Sequence, residues 1–174
     1  VDSEQLWRAV NLVEPGLIRV DADEATYNLH IMIRYEIEKQ LISGEIEVDE
    51  LPDLWDSMYE EFLGIKSPNS SKGVLQDIHW SMGAIGYFPT YTLGNLYAAQ
   101  LLEAAKKELP NYEDQIRSGD FQPLLNWMRK NVHSRGSVLE PAALIEEATG
   151  SPPSPDAFVD YLSSKVERLY EVTA

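Results

Sequence analysis

The stretch Asp21-Ala22-Asp23-Glu24-Ala25-Thr26-Tyr27-Asn28-Leu29-His30-Ile31-Met32-Ile33-Arg34-Tyr35-Glu36-Ile37-Glu38-Lys39-Gln40-Leu41-Ile42-Ser43-Gly44 sets the fold class. Asp21 and Glu24 stand as the N-cap and N3 acceptors of a capping box, with aspartate in the cap. Leu29, Ile33, Ile37 and Leu41 recur every fourth residue, which places them on one face of a helix. Ala25, Ile31 and Met32 widen that face, so the pattern predicts a helix from Asp21 to about Ser43 that is buried on more than one side. Gly44 ends it, because glycine takes the left-handed turn after a helix at least cost.

The same punctuation continues on both sides. Upstream, Asp2 or Ser3 caps a short helix through Leu6, Trp7, Val10 and Leu12 that stops before Pro15-Gly16. Leu17-Ile18-Arg19-Val20 reads as a brief extended stretch, too short to found a sheet. Downstream, a helix starting near Pro52 carries Trp55, Met58, Tyr59, Phe62 and Leu63 to a stop at Gly64. Residues 67–73 form a Ser- and Gly-rich loop, and 74–88 read as irregular. The spacing predicts further helices over 89–109, 111–118, 123–132, 141–149 and 156–171, the last after the stiff turn Ser151-Pro152-Pro153-Ser154-Pro155. No repeat and no sustained alternation occur. The expected fold is all-α, multi-helix and non-repeat, with a long central helix, an irregular motif-bearing loop, and residues 1–174 as a single helical unit.

Composition narrows the function classes. The chain has 174 residues, 14 Lys+Arg against 29 Asp+Glu, and a formal net charge of −15. That field repels phosphate backbones and anionic lipid, so neither nucleic acid nor membrane is an expected partner. There is no cysteine, which removes disulfides, thiol catalysis and thiolate-held metals. No apolar run approaches the roughly 18–20 residues of a membrane span. The N-terminus has no basic leader followed by an apolar core, and the expected location is cytoplasmic.

Chemistry has few candidate anchors. His30, His79 and His133 are too far apart for a helix face to offer two of them to zinc, and no phosphate-binding glycine loop or nucleophile elbow is present. The unusual segment is 73–91, Gly-Val-Leu-Gln-Asp-Ile-His-Trp-Ser-Met-Gly-Ala-Ile-Gly-Tyr-Phe-Pro-Thr-Tyr. Loops this rich in Gly, His, Trp and Tyr tend to line sites, since the backbone bends sharply while the rings bring hydrogen-bonding tips. Asp77 stands two residues before His79, near enough to orient an imidazole. A helix opening at Pro89 puts Tyr91 in its first turn, where a phenol can donate to a developing oxyanion. The plainer alternative is that these rings fill a core at a loop-to-helix junction, and spacing by itself favours it.

Three motifs add to this reading. Ile18-Arg19-Val20-Asp21-Ala22-Asp23 resembles the Ile-Arg-x-x-Ala-Asp signature of the thermostable zinc carboxypeptidases, the carboxypeptidase Taq family. Gly73-Val74-Leu75-Gln76-Asp77-Ile78-His79-Trp80 is similar to that family's Gly-x-x-Gln-Asp-x-His-Trp signature at every specified position. His133-Ser134-Arg135-Gly136 resembles a shorter His-x-x-Gly element, and similarity continues through 26–30, 86–100 and 161–170. The motifs come in the family's order and the resemblance covers essentially the whole chain.

The resemblance implies the C-terminal portion of a larger helical metallopeptidase fold. In the family, zinc or cobalt is held by a His-Glu-x-x-His helix and a later His-Glu-Ser-Gln glutamate, both N-terminal to the Ile-Arg-x-x-Ala-Asp element and neither present here. No metal ligand and no cofactor is therefore expected in this chain, and by itself it is expected to lack peptidase activity. The intact enzyme would be a metallocarboxypeptidase that removes C-terminal residues from peptides, with this portion gripping the peptide substrate. Its expected partners are that substrate and the missing N-terminal part of the same enzyme.

The resemblance also assigns roles. Arg19 and, with less support, Arg135 are candidates for the substrate carboxylate, which a guanidinium fork binds through both oxygens. Arg19 has an equal alternative as the ion-pair partner of Asp21, Asp23 or another acid. His79, Tyr91 and Tyr87 are candidates for hydrogen bonds to the substrate backbone and oxyanion. Gln76 and Asp77 read as supports that fix His79 and the loop, and Trp80 as packing. His30 reads as a core histidine, and His133 either supports the site or holds the turn closed by Gly136. A homodimer is expected from the family, with self-association covering an apolar patch beside the central helix. The other function class is a free-standing helical interaction module without catalysis.

Overall fold

The long helix begins at Tyr27 rather than just after Asp21, and the reason is a turn that the capping-box reading does not foresee. In the computed structural model, which describes residues 1–172, Arg19–Asp21 forms a short 3-10 turn in place of the extended stretch expected there. Asp23 then closes the turn that leads to Thr26, the N-cap, which carries no side-chain cap bond of its own. The Asp23 Oδ1 accepts from the Ala25 and Thr26 amides at 2.9 and 3.0 Å, and its Oδ2 from the Thr26 hydroxyl at 2.8 Å. From there α2 (Tyr27–Ser43) runs to Gly44, whose φ of 75° closes the C-terminus by the left-handed route.

The described residues are all-α, with no strand among them. α1 (Ser3–Val10) opens on Asp2, which forms a full capping box with Gln5. α3 (Leu51–Leu63), α4 (Pro89–Glu108), α5 (Tyr112–Ser118), α6 (Gln122–Asn131), α7 (Pro141–Thr149) and α8 (Asp156–Tyr170) follow the predicted spans closely. Residues 64–88 carry no helix and are built from consecutive turns. The described residues divide into two compact units, residues 1–92 with 167–172, and residues 93–166.

In the first unit α2 packs on α3, and Ile33 and Ile37 meet Trp55, Met58, Tyr59 and Leu63. Met32, expected on the buried face, is exposed, while Ile31 is buried as predicted. The width of the buried surface comes instead from His30, Arg34 and Glu38, a second fourth-residue series beside the apolar one. In the second unit Gln100 is buried on α4. Its amide donates to the Ser151 and Pro152 carbonyls at 3.2 and 3.0 Å, and its carbonyl accepts from Ser154 N at 3.2 Å, which pins the proline turn before α8.

His30 is the core histidine that the sequence predicts. It is 0% exposed, and its Nδ1 lies 3.0 Å from the Tyr59 hydroxyl. Burial, then the charges of Arg34 and Arg19, lower its pKa to about 4. The fold therefore holds the neutral ring, whereas the unfolded chain protonates near 6.5. The contribution of His30 to stability is complete above that value and drains away as pH falls from 6.5 to about 4, by roughly 3 kcal/mol in all. Urea unfolding at stepped pH is expected to show this loss for the native chain, and a flat profile over that window would contradict a neutral buried His30.

Candidate functional site

Gly73 starts the motif loop at a place where a side chain has no room. A Cβ there would lie 2.9 Å from the Ser67 hydroxyl and 3.3 Å from the Asn69 carbonyl oxygen, so the turn of 67–73 closes only over glycine. The loop then delivers Gln76, Asp77, His79 and Trp80 against α2 and the 3-10 turn.

Asp77 is the centre of this arrangement. Its carboxylate accepts from Arg19 Nη2 at 2.7 Å and Nε at 3.1 Å, and from Arg34 Nε at 2.6 Å. Arg19 is 7% exposed and Arg34 is 0% exposed. Two guanidiniums thus share one carboxylate away from water. Burial by itself would raise the Asp77 pKa, but the hydrogen bonds and charges of the two arginines outweigh it and hold the carboxyl below its ordinary 3.8. Gln76 completes the frame: its Oε1 accepts from Arg19 N and Arg34 Nη2, both at 2.9 Å, and its amide donates to the Leu17 carbonyl at 3.0 Å. Arg34 also donates to the His30 carbonyl at 2.7 Å and lies over the Trp55 ring at 4.6 Å.

Arg19 makes an ion pair, with Asp77 rather than with Asp21 or Asp23. Of its five N–H groups, Asp77 takes two and Tyr27 Oη takes one at 3.1 Å, which leaves two. Gln76 and Asp77 do fix the loop, but through the arginines and not by a bond to His79. Asp77 Oδ1 stands 3.8 Å from His79 Nδ1, beyond hydrogen-bond reach, and that nitrogen is buried with no partner.

His79 is held from its other side. Its Nε2 lies 3.0 Å from the Tyr91 hydroxyl, and its ring packs on Phe88 at 4.4 Å between centroids. Tyr91 is in the first turn of α4, as the sequence predicts, and Tyr87 stands edge-on to it at 5.4 Å with its own ring exposed. Burial, then the charges of Arg19 and Arg34 working against Asp77, lowers the His79 pKa, so the ring is neutral at pH 7. Trp80 packs edge-on against Trp55 and Phe88, and its indole N–H donates to Glu38 Oε2 at 2.8 Å.

The structure thus brings Arg19, Gln76, Asp77, His79, Tyr87 and Tyr91 into the first unit. Arg135 and His133 belong to the second unit, in the 3-10 turn His133–Arg135. There Arg135 pairs with Glu147, His133 is exposed, and the His133 carbonyl accepts from Gly136 N at 3.2 Å, so the turn closes through backbone. Sequence reasoning missed Arg34, Glu38, Tyr27 and Tyr59. A signal existed, since His30, Arg34 and Glu38 stand four apart beside an apolar stripe with the same spacing.

The carboxypeptidase Taq (M32) metallopeptidase family matches over residues 1–166. This chain belongs to that family. Thermostable carboxypeptidase 1 of Thermus thermophilus is 48% identical over 170 residues, covering 98% of this chain and 33% of the relative. Carboxypeptidase 1 of Bacillus subtilis is 45% identical over 170 residues, covering 98% and 34%. The solved M32 carboxypeptidase from Deinococcus radiodurans superposes with a TM-score of 0.95 at 42% identity, over 99% of this chain and 35% of that one. Trypanosoma cruzi metallocarboxypeptidase 1 gives 0.90 at 41% identity, over 98% and 35%. The M32 chain described here therefore spans about a third of the length of the curated relatives it matches.

M32 enzymes are metallopeptidases, and the residues present do not fit a metal. Among the described residues no group of three or more His, Asp or Glu side chains is placed to hold an ion. His30 faces Tyr59 in the core, and the Asp77 carboxylate beside His79 is occupied by guanidinium.

Removing the Asp77 charge leaves two buried cations facing each other. Asp77→Asn is expected to destabilise the fold by about 3–5 kcal/mol at pH 7. Because its folded pKa is depressed, Asp77 stabilises above pH 3.8 and loses that contribution as pH falls through the lower folded value. The variant is therefore expected to lack that limb in acid denaturation. Equal stability of the two proteins at neutral pH would contradict the role given to this carboxylate.

Proposed function

We propose that this chain is the substrate-gripping, C-terminal part of a metallocarboxypeptidase that removes C-terminal residues from peptides. The metal, zinc or cobalt, is assigned to residues outside this chain, and the chain by itself is assigned no peptidase activity. What it adds is orientation of the peptide and polarisation of its carbonyl group.

The observation that carries the reading is the 3.0 Å contact between His79 Nε2 and Tyr91 Oη at the junction of the motif loop and α4. Where the tautomer with its proton on Nδ1 would have the phenol donate to the ring, a neutral imidazole with its proton on Nε2 donates to the phenol oxygen and leaves the phenol O–H free to donate outward. That is the geometry needed to stabilise negative charge gathering on a peptide oxygen. Tyr87, edge-on to Tyr91 and exposed, is proposed as a second donor to the peptide backbone. Arg19 keeps two N–H groups beyond those bound by Asp77 and Tyr27, and these are proposed to meet the terminal carboxylate. Arg135 is a second proposed carboxylate contact, supported only by its place in the His-x-x-Gly element. His133 is proposed to support that element.

Losing one oxyanion donor typically costs about 3–4 kcal/mol of transition-state stabilisation. In the intact enzyme, Tyr91→Phe is expected to lower kcat by about 100- to 1000-fold with metal content unchanged. Steady-state kinetics on a blocked dipeptide and metal analysis of the same preparation make the test. A kcat equal to the parent's would remove Tyr91 from the site.

A further inference from the structure

Glu38 is a buried acid that none of the chemistry above uses. It is 5% exposed on α2, one helical step beyond Arg34 on the same face. A carboxylate in such a place costs several kcal/mol unless its oxygens are filled. Both are filled, by neutral N–H donors from one loop: Oε2 accepts from the Trp80 indole at 2.8 Å and Oε1 from Gly86 N at 2.6 Å.

Those two donors flank the turn between the site residues. Trp80 directly follows His79, and Gly86 directly precedes Tyr87 and lies three residues before α4, which carries Tyr91. Between them the turn closes on itself, with Ala84 N donating to the His79 carbonyl at 2.9 Å and Gly83 N to the Trp80 carbonyl at 3.1 Å. Gly83 and Gly86 both have φ of 77°, and Met82 and Ile85 at the tip are exposed. The tip therefore has little grip of its own, and the two arms are stapled to α2 by one carboxylate.

We propose that Glu38 is the positioning residue that sets the separation of His79 from Tyr91 by clamping both arms of the 80–86 turn to α2. The inference rests on the role given above to the His79–Tyr91 pair. Glu38→Gln keeps the volume but turns one acceptor into an N–H₂ that faces a donor, so one arm of the clamp is released. Trp80→Phe keeps a ring against Trp55 and Phe88 and removes only the indole donor, with much less risk to folding.

The test uses the intact enzyme. Glu38→Gln is expected to lower kcat by about 10- to 100-fold, the usual cost of a displacement near 1 Å, with KM changed much less. Trp80→Phe is expected to give a smaller loss of the same kind. On the Tyr91→Phe background both losses are expected to vanish, because the spacing then has nothing to align. A loss of equal size on both backgrounds overturns the proposal and marks Glu38 as a folding residue only. If Glu38→Gln does not fold, the Trp80→Phe pair of measurements decides in the same way. A crystal structure of either variant gives a readout independent of turnover: the His79 Nε2 to Tyr91 Oη distance is expected to open past hydrogen-bond range, and a retained 3.0 Å contact overturns the inference. Should Tyr91→Phe prove silent, the oxyanion reading fails while that distance still decides the positioning role.

Discussion

The Asp77 carboxylate lies between Arg19 and Arg34, two cations that the fold withdraws from water. Neither guanidinium is tolerable there without it, and the carboxylate itself is tolerable only because the two arginines answer it. This mutual requirement ties three separate pieces of chain together: the 3-10 turn that precedes α2, the middle of α2, and the loop at 73–80. Gln76, the neighbour of Asp77, repeats the connection with neutral hydrogen bonds to both arginines. Polar anchoring by Asp77 and Gln76 thus combines with packing of Val74 into the core to order the start of the loop.

From that anchor the site follows outward along the chain. His79 comes two residues after Asp77 and lands on Phe88 and Tyr91. The arginine charges that hold Asp77 ionised also help keep the imidazole neutral, against the pull of the carboxylate 3.8 Å away. One cluster therefore performs two tasks, holding the loop and setting the proton inventory of the ring that touches Tyr91. Arg19 lies 5.0 Å from the centre of the Tyr91 ring, so the same cation borders the phenol.

The M32 match over residues 1–166 says what kind of protein the chain belongs to. The loop-to-α4 junction is where exposed and half-buried polar tips gather, while Arg34, His30 and Tyr59 are sealed in the core behind it. A division between a rigid buried frame and accessible tips is the expected form for a site that must hold donors still while admitting a ligand.

The helices were legible in sequence wherever their ends are set locally. Pro89, Pro141, Gly44, Gly64 and Gly150 stop or start a helix through their own backbone preferences, and the observed ends follow them. The place of Tyr91 in the first turn of α4 came from the same local rule. Where a distant partner intervenes, local reading misplaces the structure. The Asp21 capping box does not form: Asp23 closes the turn before Tyr27, and Arg19 is bound to Asp77, 58 residues away. Arg34 and Glu38 sit at fourth-residue spacing in plain view, yet charged residues at such positions are ordinarily solvated. Their burial depends on Asp77, 43 residues from Arg34, and on Trp80 and Gly86, 42 and 48 residues from Glu38. By itself the sequence determined the all-α class, the helix ends set by proline or glycine, and the motif order, since each rests on short-range backbone preference or on identity. Only the tertiary structure decided which acid each arginine meets and which donors fill Glu38, because a charge chooses its partner by proximity in space.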